Sequence, residues 1–291
     1  MNRPRAAWLF AGPALAVITV FFFLPVVAAL GLSFTDFDIY ALADTANLRL
    51  VGLRNYVELL HRSEFWNALG NTLYFVAAGV PLSIGASLGT ALLLNSPAAR
   101  FRAFFRTALF APVVTTLVAA AIVWRYLLNT RYGWLNHALG ALGLPAVDWL
   151  GDPRFSMPAI ILFAVWKNFG YNMIILLAGL QAIPADLYEA ARIDGASAWR
   201  QFVHVTLPTL RPMLAMVAIL TVAGYFQLFA EPYVMTQGGP LQSTVSVLYL
   251  MYEEGFKWWN LGSASAVAFL LFVLMFAVTA VQAAALRRRD G

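Results

Sequence analysis

The chain has 291 residues, 61% of them apolar and 11% charged, with a formal net charge of +5 and no cysteine. A soluble domain carries about a quarter charged and about half apolar residues, so no water-soluble fold hides this much apolar surface. The missing cysteines exclude disulfides, iron–sulfur clusters, thiolate zinc sites and a Cys nucleophile, and the basic residues are too dispersed for a nucleic-acid surface.

A hydrocarbon core about 30 Å thick needs roughly 20 mostly apolar helical residues. Six segments meet that test: about Trp8–Phe34, Ala68–Leu94, Phe104–Leu128, Met157–Ala182, Pro212–Tyr233 and Leu261–Leu286. The runs are continuous, without the period-two alternation of a membrane barrel, so helices are expected. The fold class is therefore an all-α integral membrane protein of six transmembrane helices, forming a single domain over residues 1–291. The first run is about twice the length of a signal-peptide core and ends without a clear cleavage site, which marks it as a retained span.

Orientation follows from the loops. With the N-terminus inside, Arg3, Arg5, Arg100, Arg102, Arg106, Arg192, Arg200, Arg211, Arg287, Arg288 and Arg289 face the cytoplasm. Fewer basic residues face outward, and Trp134, Trp149, Trp258 and Trp259 fall near the outer boundary, where aromatic belts sit. Both termini are expected in the cytoplasm, with membrane lipid around the chain.

A chain that hydrolysed ATP itself would need a phosphate-cradling loop ending in Gly-Lys-Ser/Thr. The lysines, Lys167 and Lys257, follow Trp166 and Phe256, so that loop cannot form here. His61, His137 and His204 stand apart from one another, so no metal site is assigned. The chain is expected to be no enzyme and to bind no cofactor of its own; active transport would draw on a gradient or on another protein.

The inner loop from Gln181 to Pro212 is too polar to span and too patterned to be slack. Pro184 stops the fourth span, Asp186 is placed to cap a short helix, and Gly195 ends it, since glycine takes a left-handed conformation cheaply. Ser197 is placed to cap a second short helix carrying Trp199, Phe202, Val203 and Leu207, and Pro208 and Pro212 mark the entry to the fifth span. Two short helices hinged at a glycine thus project into the cytoplasm, with Ala190 and Ala191 leaving room for a close approach. An interfacial helix lying on lipid fits the same pattern.

These residues resemble a known signature. Glu189-Ala190-Ala191, three residues, Gly195, nine residues, then Val205-Thr206-Leu207-Pro208 is similar to the EAA motif of binding-protein-dependent ABC importer permeases, with Val205 where isoleucine is common. Gly52-Leu53-Arg54-Asn55-Tyr56, the stretch from Phe65 to Thr72, Gly238-Gly239-Pro240 and Gly262-Ser263-Ala264 resemble the first permease of maltose-type and glycerol-phosphate-type sugar importers. The likeness spans nearly the whole chain; the large outer insertion and extra leading spans of some members are missing.

The resemblance implies a type I importer permease fold in a bacterial inner membrane. It implies a second homologous permease, an ATPase dimer that holds ATP and magnesium, an extracytoplasmic solute-binding protein and a sugar substrate. The coupling residues would be Glu189, Ala190, Ala191, Asp194, Gly195, Leu207 and Pro208.

Polar residues inside a bilayer are functional candidates. Lys167 and Gln227 lie about 15 residues from the cytoplasmic ends of their helices, roughly 22 Å at 1.5 Å per residue. Thr116 and Thr115 fall at a similar depth on the third span, Asn168 and Asn172 lie close by, and Tyr171 adds an aromatic face. Thr116, Lys167, Asn168, Tyr171 and Gln227 are the candidate sugar-binding residues. Lys167 could instead snorkel outward, and the amides and threonines could instead bond between helices. Paired carboxylates, which a gradient-driven transporter should place in its spans, are absent from the six segments. A phosphorylated substrate such as glycerol phosphate would want several basic groups, so a neutral sugar is expected.

Overall fold

A computed structural model describes residues 3–44 and 48–287; Arg288 and Arg289, assigned to the inner face above, lie outside the described residues. Among the described residues the regular structure is helical, with one isolated antiparallel bridge between Thr35 and Leu50. This follows from the solvent: in hydrocarbon every backbone N–H and C=O must find an internal partner, and a helix supplies one within the segment. Among the described residues five helices are long and apolar enough to cross a membrane, and one sharply bent pair makes a sixth span if taken as one.

In chain order the helices are α1 (Arg3–Ile18), α2 (Leu24–Leu32), α3 (Ile39–Ala43), α4 (Arg54–His61), α5 (Ser63–Asn95), α6 (Arg102–Val114), α7 (Leu117–Leu127) and α8 (Trp134–Ala141). They continue with α9 (Pro153–Gln181), α10 (Ala185–Ile193), α11 (Ala198–Gln201), α12 (Leu207–Phe226), α13 (Ala230–Met235), α14 (Val247–Tyr252) and α15 (Leu261–Arg287). Wider π-type turns occur at Thr19–Phe23, Phe202–Thr206 and Glu253–Lys257. The chain divides into two compact units, Met1–Trp66 with Leu250–Leu274 and Asn67–Tyr249 with Met275–Gly291.

In the first unit, α1 runs through Thr19–Phe23 into α2, and Phe10–Leu32 forms a span with no buried residue. Pro25 explains the widened turn. Proline lacks an N–H and its ring crowds the carbonyl four residues back; here that is Phe21, inside the turn, where longer-range bonding takes up the strain. The sequence motifs lock the adjoining loop. The Asn55 amide donates to the carbonyls of Ser33 (2.9 Å) and Thr35 (2.8 Å), and the Tyr56 hydroxyl donates to Ser33 Oγ (2.7 Å). The Gly262 N–H reaches the Phe37 carbonyl (2.9 Å), and a Cβ at Gly262 would collide with the Thr35 carbonyl. Arg62 pairs with the buried carboxylate of Glu254 at 2.7 Å.

The second unit is built around α9, the most buried span. Its C-terminal half packs Met173, Leu176, Leu177 and Leu180 against Ala91 and Leu94 of α5 and Leu210 and Val217 of α12. Its N-terminal end is capped by Asp152, whose side chain accepts the Arg154 N–H.

Three expectations need correction. The third segment, 104–128, is not one straight helix: α6 and α7 meet at 101° across Thr115–Thr116. Pro112 removes an N–H three residues before the bend, and hydropathy, which registers only side chains, reads straight through it. The fifth span begins earlier than Pro212 and ends at Phe226 rather than Tyr233. Pro208 sits at the start of α12 and the wide turn Phe202–Thr206 precedes it, so α11 runs on into the span instead of forming a separate second coupling helix. Asp186 lies in the first turn of α10 rather than at its cap, which Pro184 occupies; there a carboxylate still complements the helix dipole.

Candidate functional site

The bend between α6 and α7, the middle of α9 and the end of α12 border an open cavity of 560 Å³ in the second unit. The break after Phe226 matters to its shape. Gln227 caps α12, its N–H reaching the Gly224 carbonyl, and the chain then turns into α13, so Gln227, Phe229 and Glu231 all border the cavity. Tyr225 stacks on Phe75 with ring centroids 5.0 Å apart, and its ring lies where a Cβ on Gly79 would otherwise stand.

Of the candidate sugar-binding residues, Asn168, Tyr171 and Gln227 border this cavity, while Lys167 and Thr116 are not on its wall. Asn168 Nδ2 donates to its own helix at Ala164 (2.9 Å) and Gln227 Nε2 to Ala223 (3.1 Å). Both side-chain carbonyls are thereby turned away from those bonds. Tyr171 is half exposed. Asn172 Nδ2 donates to Thr221 Oγ1 at 2.9 Å, an interhelical bond that ties α9 to α12 at the cavity floor. Thr221 escaped the sequence reading because a threonine that also donates to the carbonyl of Val217 looks like any back-bonded helix threonine. Phe75 and Glu231 also line the cavity and were not singled out, since an aromatic in an apolar span and an acid at a helix end carry no distinguishing pattern. Glu231 is the charged residue on this wall among the described residues.

Lys167 does not snorkel. It is 7% exposed, and its ammonium donates to the Val113 carbonyl at 3.2 Å. Thr115 Oγ1 donates to the Pro112 carbonyl at 2.7 Å, while Thr116 stands exposed at the start of α7.

The coupling candidates sit on an exposed hook. Glu189, Ala190, Asp194 and Gly195 are exposed and Ala191 half-buried. The Ala196 N–H bonds the Ala191 carbonyl (2.8 Å) and the Gly195 N–H the Arg192 carbonyl (3.0 Å), with Gly195 at φ +73°. This paired pattern around a left-handed residue closes the helix C-terminus. Nothing lies within 4 Å of a Cβ placed at Gly195, so conformation rather than crowding calls for glycine. The Tyr188 hydroxyl meets Thr206 Oγ1 at 2.9 Å and fixes the hook to the start of the fifth span. Leu207 and Pro208 follow directly and are exposed. Leu187, Ile193 and Trp199 add apolar surface, Ile193 being 87% exposed.

On the cavity unit's other loop, Gly238 has φ +80°, and the Asn67 and Asn71 amides donate to the carbonyl of Gln242, Asn71 also to that of Val245. Thr72 Oγ1 accepts the Val247 N–H at 3.0 Å. The Asn67–Thr72 motif thus holds the loop that carries Gly238-Gly239-Pro240.

Comparison with known proteins gives a consistent picture. Residues 6–291 match the family described as binding-protein-dependent transport system inner membrane component. The chain is 37% identical over 275 residues to a lactose transport system permease protein of Rhizobium radiobacter, covering 93% of this chain and 90% of that one. It is also 37% identical over 283 residues to a trehalose/maltose transport system permease protein of Thermococcus litoralis, covering 96% and 93%. Among solved structures, a bacterial ABC transporter involved in importing the acidic polysaccharide alginate superposes with a TM-score of 0.83 at 22% identity over 99% of this chain and 96% of that one. This last likeness concerns the fold.

Proposed function

The chain belongs to the binding-protein-dependent transport system inner membrane components, and from that premise we propose that it is the permease subunit of an ATP-driven importer of a neutral saccharide. The observation that carries the substrate class is the 560 Å³ cavity walled by amides and aromatic rings. Amides bond sugar hydroxyls, and flat rings take a sugar's apolar face. The relatives that transport lactose and trehalose/maltose support the same class. An anionic cargo such as glycerol phosphate fits less well: among the described residues no Lys or Arg lies on the wall to pair with it.

Asn168, Tyr171 and Gln227 are the proposed substrate contacts, with Thr116 and Lys167 beside rather than on the wall. Glu189, Ala190, Ala191, Asp194, Gly195, Leu207 and Pro208 form the proposed docking surface for an ATPase dimer, which hydrolyses ATP with magnesium on its own residues. A second homologous permease and an extracytoplasmic solute-binding protein complete the assembly, the last supported by the alginate transporter solved with its substrate-loaded periplasmic protein. The exposed hook faces the cytoplasm in this reading, with both termini on the same side. Hook and cavity are then two ends of one two-state element, biased by nucleotide at one end and by the loaded binding protein at the other.

The test is co-purification of an ATPase with the detergent-solubilised chain, as wild type and as Glu189→Lys. Capture by wild type and loss in the variant is the expected result. A wild-type chain that captures no ATPase under native expression, or that transports saccharide alone, overturns the proposal.

A further inference from the structure

We propose that Lys167 is a positioning residue of the cavity: its ammonium holds the broken end of α6 against α9 and so sets the cavity wall, without touching the cargo. This rests on the cavity being the transport path. The last carbonyls of a helix have no intrahelical donor, and at membrane depth such a group must be met by protein or by water in a cavity. The bend at Thr115–Thr116 puts such an end inside the span. Side chains from two elements answer it, Thr115 at the Pro112 carbonyl and Lys167 at the Val113 carbonyl. A cation at a helix C-terminus also complements the helix dipole.

The contact is part of a two-point seam. Lys167 and Gly170 share one face of α9, and Leu109 and Val113 share one face of α6. A Cβ at Gly170 would collide with the Leu109 carbonyl, so the α6 backbone lies directly on α9 one turn from the ammonium. Val113 and Leu117, on either side of the bend, both line the cavity. Moving the bend therefore moves the wall.

The chain contains no cysteine, so Leu117→Cys is its single thiol, and labelling is read on this subunit after it is separated from its partners by denaturing electrophoresis. The reporter chain, in proteoliposomes with the partners that co-purify with it, is treated with a charged methanethiosulfonate, and the modification rate is compared with and without Lys167→Met. The expected result is a rate about tenfold higher in Lys167→Met, equivalent to ~1.4 kcal/mol, with Lys167→Arg returning it to within about twofold of the parent, because a guanidinium still donates to a carbonyl. If Lys167→Met does not assemble, Lys167→Gln takes its place and an intermediate rise is expected. An unchanged rate in an assembled variant overturns the proposal. Loss of maltose or lactose uptake with an unchanged rate overturns it too and makes Lys167 a substrate contact, leaving the transport reading intact. A wild-type complex that takes up no saccharide defeats the transport reading, while the thiol rates still decide the role of Lys167.

Discussion

Two spans of this chain invert the rule learned from soluble proteins. The apolar 18-residue stretch of Phe10–Leu32 has a mean hydropathy of 2.6 and none of it is buried, whereas that of Pro153–Gln181 has 1.6 and 56% of it is buried. In water the more apolar helix goes inside. In a bilayer the lipid is as apolar as leucine, so apolarity no longer selects the interior; small residues, close backbone approach and hydrogen bonds do. α9 accordingly carries the glycine that meets α6, the asparagine that bonds Thr221 and the lysine that bonds Val113. The first span offers only smooth apolar surface.

The largest expected effect comes from placing a charge in the exposed span. Phe21→Arg, with no carbonyl or carboxylate supplied from another element, should cost about 2.5–3.5 kcal/mol of insertion. Glycosylation mapping of the inserted fraction reads this directly. Insertion equal to wild type would mean that the first span meets a polar partner, and the contrast with Lys167 would fail.

Next is steric. Gly170→Leu drives a side chain into the α6 backbone and should destabilise by about 1–3 kcal/mol or more, while Gly31→Leu in α2, with nothing within 4 Å of its Cβ, should stay within about 0.5 kcal/mol of wild type. Thermal stability in detergent by size-exclusion chromatography separates the two. Equal loss in both would show that α2 is packed.

A smaller effect is expected at the bond between α9 and α12. Asn172→Leu should cost about 0.6–1.7 kcal/mol, the range for interhelical hydrogen bonds in membranes, with no added loss when Thr221→Val is combined with it. An additive double mutant would mean that the two residues act separately.

The smallest effect lies at the helix start. α2 continues α1 without a break and so uses no cap, whereas α9 starts after a cap at Asp152. The Arg154 guanidinium beside Asp152, together with the Arg154 N–H, holds its carboxyl below the usual value near 3.8. A lowered folded value means a stabilisation that is present above the unfolded value and lost as pH falls through the folded one. Melting temperatures of wild type and Asp152→Asn should therefore differ slightly above pH 4 and converge below it. A gap that widens on acidification would reverse the assignment.

The span pattern was largely legible because length and apolarity are both set by the bilayer. Of the five residues expected to bind substrate, Asn168, Tyr171 and Gln227 border the cavity, each having been singled out because a polar group at membrane depth has few innocent explanations. The hook was legible through Gly195, whose left-handed backbone leaves a mark in residue type. What escaped was whatever depends on backbone carbonyls. The bend at Thr115–Thr116 and the partner of Lys167 are both carbonyl events, and every residue has a carbonyl. Pro208 and Pro212 misled for the opposite reason. They are conspicuous, and the wide turn at Phe202–Thr206 that absorbs the first of them has no residue signature of its own.

That wide turn also makes chain length negotiable at one point. A π-type turn holds one residue more than an α-helical turn between the same flanks. Losing a residue from Phe202–Thr206 can be absorbed by reversion to ordinary helix, leaving Ala198–Gln201 and Leu207–Phe226 facing as before. The same loss within Leu207–Phe226 has no such slack and rotates everything beyond it by about 100°, swinging Tyr225 and Gln227 off the cavity. Removal of one residue should therefore be tolerated better at Phe202–Thr206 than within the helix that follows.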